Sequence, residues 1–316
     1  MSCRILVSNL MMIAERSRFE RELRQLGFEP IWPKVAQFLS EDECLRLVGA
    51  IDGWLAGDDA ITRRVLEAAA PRLRVISKWG TGVDSIDLDA AQALGIPVLN
   101  SPGAFADAVA ECAIGYLLML ARHLHAVDQQ VREGQWPKPC GRSLKGQTLG
   151  VIGFGAIGRR IGAMAQGLGM RVIFHDPALK SPIGNAIPAT QKMIATRSDA
   201  VVLACNLSAE NAGMIDRAFL RAMRPDSVLV NVARGPLVRT QPLIEALQNG
   251  RIAGAALDVF ETEPLPDNSM LRDLPNVILG SHNANNEKSA VEFVHRNSIA
   301  NLMSALEPTR PLEEAH

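Results

Sequence analysis

The chain has 316 residues, of which 47% are hydrophobic and 21% charged, and a formal net charge of −1. That length can bury a large core and suggests two domains rather than one. A near-neutral balance gives no electrostatic reason to expect nucleic acid or an anionic membrane as partner. The five cysteines, Cys3, Cys44, Cys112, Cys140 and Cys205, are odd in number and lack paired C-x-x-C spacing. This argues against a disulfide framework or a metal site and fits a reducing, cytoplasmic setting.

The opening residues, Met1 to Val7, read as a strand and not as a secretory signal. The longest apolar stretch, Cys112 to Ala121, is too short to span a bilayer, so no membrane association is expected. From Ile5 to Val98 strand and helix patterns alternate. Strands are predicted at Ile5–Ser8, Phe28–Trp32, Ala50–Ala56, Leu73–Ser77 and Pro97–Leu99. Helices are predicted at Glu15–Leu26 (closed by Gly27), Glu41–Val48 and Thr62–Ala70, with Thr62 as N-cap and Pro71 as stop. Such alternation implies a parallel sheet covered by helices. Lys78-Trp79-Gly80-Thr81-Gly82-Val83-Asp84 forms a glycine-rich turn at the carboxyl end of one of these strands, the edge at which open α/β sheets bind ligands.

One long helix, about Ala106 to Val131, is predicted next, followed by a second alternating unit. Its strands fall near Leu149–Ile152, Met170–His175, Ala200–Ala204, Val228–Val232, Ala253–Leu257 and Val277–Leu279. Glu287–Leu306 reads as a final helix and Pro308–His316 as a fraying tail.

The second unit opens on Gly153-Phe154-Gly155-Ala156-Ile157-Gly158, the spacing G-x-G-x-x-G directly after an apolar strand. Gly153 permits the tight turn, Gly155 lets backbone approach a pyrophosphate, and Gly158 lets the next helix pack closely on the strand. The helix N-terminus then offers free N–H groups to the phosphates. About twenty residues on, the next strand ends at Asp176, placed to accept both hydroxyls of an adenosine ribose. A carboxylate there repels a 2′-phosphate and no arginine follows closely, so NAD is expected over NADP.

Three polar residues stand after the last strands: Arg234 in Asn231-Val232-Ala233-Arg234-Gly235, Glu263 in Leu257-Asp258-Val259-Phe260-Glu261-Thr262-Glu263-Pro264, and His282 in Gly280-Ser281-His282-Asn283-Ala284. With the glycine motif and its downstream acid, this ordered set resembles the D-isomer-specific 2-hydroxyacid dehydrogenase family over nearly the whole chain. Within it the chain resembles the phosphoglycerate- or glycerate-dehydrogenase-like short forms without a regulatory domain. The resemblance implies an α/β fold of two Rossmann-like or flavodoxin-like, doubly wound parallel-sheet domains with a cleft between them. A substrate domain would comprise residues 1–100 and 285–316, and an NAD-binding domain residues 101–284.

The implied reaction is NAD-dependent interconversion of a D-2-hydroxy acid and its 2-oxo acid. His282 would give or take the proton, since an imidazole titrates near neutrality. Glu263 would hold its other ring nitrogen, and Arg234 would grip the carboxylate and polarise the carbonyl. Backbone N–H groups of Gly80, Thr81 and Gly82 would complete the carboxylate nest. Cofactor contacts would come from Gly153, Gly155, Ala156, Ile157, Gly158, Asp176 and Ala233, with Asp258 accepting from the nicotinamide carboxamide. The family also implies a homodimer. A second reading is a dinucleotide-sensing, corepressor-like binding protein of the same family without metabolic turnover.

The chain departs from the family pattern at Phe105 and Ala106, where polar residues are usual, at Asn283-Ala284-Asn285-Asn286 after the histidine, and at Cys205-Asn206-Leu207-Ser208. Phosphite dehydrogenases carry lysine at the place of Thr81, and formate dehydrogenases glutamine at that of Glu263, so both readings lose ground. Trp54, Ala56, Trp79 and Phe105 are candidates to line a side-chain pocket.

Overall fold

Short runs rich in valine, isoleucine and leucine, separated by amphipathic segments, are the pattern of strands buried on both faces by helices. The computed structural model, which describes residues 3–306, follows it. The expected tail Pro308–His316 lies outside those residues. Contacts divide the chain into two units, one of residues up to Ala104 together with those from Lys288 onward, the other Phe105–Glu287.

The first unit contains β1 (Cys3–Val7), α1 (Leu10–Ala14), α2 (Arg16–Gln25), β2 (Phe28–Ile31), α3 (Glu41–Leu47), β3 (Gly53–Ala56), α4 (Arg63–Ala69), β4 (Val75–Lys78), α5 (Leu88–Ala93) and β5 (Val98–Leu99). Its five strands are all parallel in the order β2-β1-β3-β4-β5, the flavodoxin-like arrangement. Local signals start the helices. Thr62 accepts from the Val65 N–H, and Ser40 with Glu43 forms a capping box before α3. Two helices escaped the sequence reading: α1, which Asn9 caps by accepting from the Met12 N–H, and α5, capped by Asp87.

The second unit contains α6 (Ala106–Arg122), α7 (Leu124–Arg132), β6 (Thr148–Ile152), α8 (Ala156–Gly167), β7 (Arg171–His175), β8 (Ile187–Pro188), α9 (Gln191–Arg197), β9 (Ala200–Leu203), α10 (Arg217–Ala222), β10 (Val228–Asn231), α11 (Thr240–Gln248), β11 (Gly254–Leu257) and β12 (Val277–Leu279). All seven strands are parallel in the order β12-β11-β10-β9-β6-β7-β8. Counted within the unit this is the Rossmann order, with the reversal between β6 and β9. The two-residue edge strand β8 was not anticipated.

The predicted single helix from Ala106 to Val131 is corrected to two. His123 takes a left-handed conformation (φ 56°) that closes α6 and opens α7. No glycine or proline marks this break, so periodicity alone runs through it.

Helix α12 (Lys288–Leu306) returns the chain to the first unit. Its Leu302 is fully buried, and a Cβ on Gly53 would come within 2.8 Å of that side chain. Ser77 donates to the Ser298 carbonyl at 2.8 Å, and Arg18 bonds Glu292 at 2.7 Å. Trp54, in β3, is fully buried, and its indole N–H donates to Ser8, which in turn donates to Asp59. Trp54 and Ala56 are therefore core residues and do not line a pocket.

Candidate active site

Parallel strands end on one edge, and each candidate side chain of the second unit leaves the sheet there. Asp176 follows β7, Arg234 follows β10, Asp258 directly follows β11, and His282 lies three residues beyond β12. The sheet order brings β10, β11 and β12 side by side, which gathers the residues that stand far apart in sequence.

At the first turn Gly153 has φ 88°, and any Cβ there would strike the Cys205 backbone at 2.5 Å. A Cβ on Gly158 would meet the Gly153 carbonyl at 2.1 Å, so close helix-to-strand packing forces that glycine. Gly155 faces open space and is the N-cap of α8 without any side-chain cap, which leaves the first N–H groups of a 12-residue helix for a ligand. Asp176 is oriented by the N–H groups of Phe154 and Ala178, which donate to its two oxygens at 2.8 and 2.9 Å. An open glycine cradle, an uncapped helix start and an oriented acid fit a dinucleotide. Cys205, packed beneath the turn, is an inert thiol; burial pushes its pKa up to about 11.

His282 Nδ1 lies 2.8 Å from Glu263 Oε2, and the other oxygen of Glu263 accepts from the Phe260 N–H at 2.9 Å. A carboxylate on Nδ1 places that ring proton toward Glu263, the tautomer in which the neutral ring carries its lone pair on Nε2. Both side chains are partly shielded, 27% and 19% exposed, which strengthens their interaction relative to open solvent. His282 has φ 56°, in the left-handed region that few non-glycine residues occupy.

Asp258 supplies much of that hold. Its carbonyl accepts from the His282 N–H at 2.6 Å, and its buried carboxylate accepts from the N–H groups of Asn283 and Ala284 at 3.2 and 2.9 Å. The tight turn after β10 is built by Asn231, whose side chain accepts from the Ala233 N–H and donates to the Arg234 carbonyl. Ala233 is thereby buried within that turn, and the Arg234 guanidinium donates to the Ala233 carbonyl at 2.8 Å. The asparagine-rich segment also has a local role: Asn286 donates to the Asn283 side chain at 2.8 Å and closes a turn.

In the first unit the loop Gly80-Thr81-Gly82 is equally braced. Thr81 donates to the Ser101 carbonyl at 3.0 Å, and Asn100 donates to the Thr81 carbonyl at 2.6 Å. Trp79 is buried and donates through its indole N–H to His295 Nδ1 at 3.1 Å. Phe105 is 3% exposed, so its side chain is packed inside. Sequence reasoning missed Asn231 and Tyr116, the latter donating to Asp258 at 3.2 Å. The N-x-A-R-G spacing carried a signal for Asn231; nothing in the sequence signalled Tyr116.

A flavodoxin-like unit, a Rossmann unit and a carboxylate-oriented histidine at the strand edge define a dinucleotide-dependent oxidoreductase. The model of the D-isomer specific 2-hydroxyacid dehydrogenase NAD binding domain matches residues 114–284. A glyoxylate reductase of Thermofilum pendens is 36% identical over 90% of this chain and 89% of its own. The structure of the TT0316 protein from Thermus thermophilus is 32% identical with a TM-score of 0.85, covering 98% of this chain and 99% of its own. An NADPH-dependent glyoxylate/hydroxypyruvate reductase from Sinorhizobium meliloti is 30% identical with a TM-score of 0.84, over 98% and 97% of the two chains. The chain belongs to the D-isomer-specific 2-hydroxyacid dehydrogenase family. It is an NAD-dependent enzyme that interconverts a 2-hydroxy acid and its 2-oxo acid. The corepressor-like reading draws no support from these relatives.

Proposed function

We propose that the substrate is a short 2-oxo acid of the glyoxylate or hydroxypyruvate class and that His282, Glu263 and Arg234 carry the reaction. The 2.8 Å contact between His282 and Glu263 is the observation that bears most weight. The dinucleotide supplies a hydride to the carbonyl carbon when bound. His282 then protonates the developing alkoxide through Nε2, while Glu263 holds the ring orientation and offsets the positive charge. Arg234 grips the carboxylate with its planar fork and polarises the carbonyl. N–H groups of Gly80, Thr81 and Gly82 are assigned to the carboxylate as well.

Gly153, Gly155, Ala156, Ile157 and Gly158 form the pyrophosphate cradle, Ala233 contributes backbone beside the cofactor, and Asp176 selects NAD by repelling a 2′-phosphate. Three donors already meet the Asp258 carboxylate, which leaves one of its roughly four acceptor positions for the nicotinamide carboxamide. The choice of a short acid is supported by the names of the relatives above.

The protein is further proposed to act as a cytoplasmic homodimer. No helix among the described residues is long and apolar enough to cross a membrane. Leu118, Leu124, Val131 and Trp136 are 38%, 51%, 42% and 79% exposed along α6, α7 and the segment that follows, an apolar face suited to a second copy.

The test is NADH consumption with a series of 2-oxo acids of increasing size, and chiral resolution of the glycerate formed from hydroxypyruvate. Turnover that favours the small acids and yields the D isomer is expected. A preference for bulky acids would overturn the substrate class, and the L isomer would overturn the assigned geometry.

A further inference from the structure

The left-handed backbone of His282 raises the question of what keeps it in place. Three successive N–H groups, those of His282, Asn283 and Ala284, are anchored on one residue. The Asp258 main chain receives the His282 N–H, and the Asp258 carboxylate receives those of Asn283 and Ala284. A carboxylate that serves as a clamp must itself be fixed in rotation. Its backbone follows β11, but its side-chain torsions are set by what meets the oxygens.

Among the described residues the side chain that donates to it is Tyr116, whose hydroxyl lies 3.2 Å from Oδ1. This is the chain's only tyrosine, and it reaches across from α6, 142 positions away. The approach is built closely. A Cβ on Gly280 would fall 2.3 Å from Asp258 Oδ1 and 2.5 Å from the Tyr116 hydroxyl, so the absent side chain at 280 is what admits the contact. Cys112 stands one helical turn earlier on the same helix. Burial, and next to it the Asp258 charge, raises the phenol pKa, so the hydroxyl stays protonated as a donor.

We propose that Tyr116 is a positioning residue for this reaction: its hydroxyl fixes the Asp258 carboxylate, which in turn holds residues 282–284 in the strained conformation that presents His282 to Glu263. The proposal rests on the assignment of His282 given above. Tyr116 makes no claim on substrate or cofactor; it acts through Asp258. Replacing its hydroxyl leaves Oδ1 with the Asn283 N–H alone and frees the clamp to rotate. Small displacements of a proton donor are costly in rate, while ground-state binding elsewhere is untouched.

The experiment compares Tyr116→Phe, Asp258→Asn and the double variant with the wild-type protein by steady-state kinetics, NADH binding and amide hydrogen exchange. Tyr116→Phe should lower kcat about tenfold while KM for the oxo acid stays within about twofold. Exchange at Asn283 and Ala284 should speed up while the amides of β9 and β10 hold their protection. In the Asp258→Asn background the tyrosine substitution should cost nothing further. A wild-type kcat, unchanged exchange at Asn283 and Ala284, or a loss that persists undiminished beside Asp258→Asn would each overturn the proposal. An inactive wild-type protein would instead mark failure of the enzymatic reading, and the exchange measurement would still decide the clamp.

Discussion

A carboxylate 2.8 Å from an imidazole does two things at once, orienting the ring and stabilising its cation. Glu263→Gln keeps the hydrogen bond and loses the charge. It is expected to lower kcat by about 10- to 100-fold with the fold intact, checked by kinetics beside a thermal melt. A second histidine, His295, stands in a different setting. His295 is 1% exposed, accepts from Trp79, and is held below its ordinary pKa, chiefly by burial. Glu15 and Glu292 push its pKa up and Arg18 pushes it down. The folded protein therefore keeps it neutral while the unfolded chain takes up a proton below about 6.5. That contribution to stability is present above pH about 6.5 and is lost as pH falls toward the depressed folded value. His295→Gln, which still accepts from Trp79, should flatten the fall of Tm between pH about 6.5 and 5; an unchanged slope would contradict this. Arg234, Glu263 and His282 could be picked out as candidates because each sits in a short local pattern. Tyr116 could not, because its partner is brought to it only by the packing of a helix against a distant strand end.

At the scale of elements, local chemistry wrote most boundaries. Caps at Thr62, Ser40 and Asp216 and stops at Gly27 and Pro71 fall where periodicity changes. What sequence did not convey was the break at His123, a left-handed residue that is not glycine, and α1 and α5, too short for a periodic signal. Helix α12 shows where packing dominates. Its Leu302 is fully buried against the first sheet, and Leu302→Ala should cost about 2–5 kcal/mol, read from chemical denaturation; a loss below about 1 kcal/mol would show that the helix is not anchored there.

For the whole molecule, two parallel sheets of 5 and 7 strands place every candidate group of the second unit on one carboxyl edge, so the fold itself assembles the chemistry. The alternation of strand and helix made that architecture readable, while the strand order is fixed by packing between segments distant in sequence. The homodimer belongs to this scale. Leu124→Asp with Trp136→Glu should convert a dimer to a monomer by light scattering, and a wild-type protein that is already monomeric would remove the proposal. The most direct test of the central claim is a single turnover of NADH with glyoxylate by the wild-type protein, Arg234→Ala and His282→Ala, with NADH binding measured alongside. Rapid oxidation by the wild type is expected. Both variants should lose about 10²- to 10⁴-fold in rate with NADH affinity within about twofold. Wild-type rates in His282→Ala, or no hydride transfer by the wild-type protein, would contradict the account.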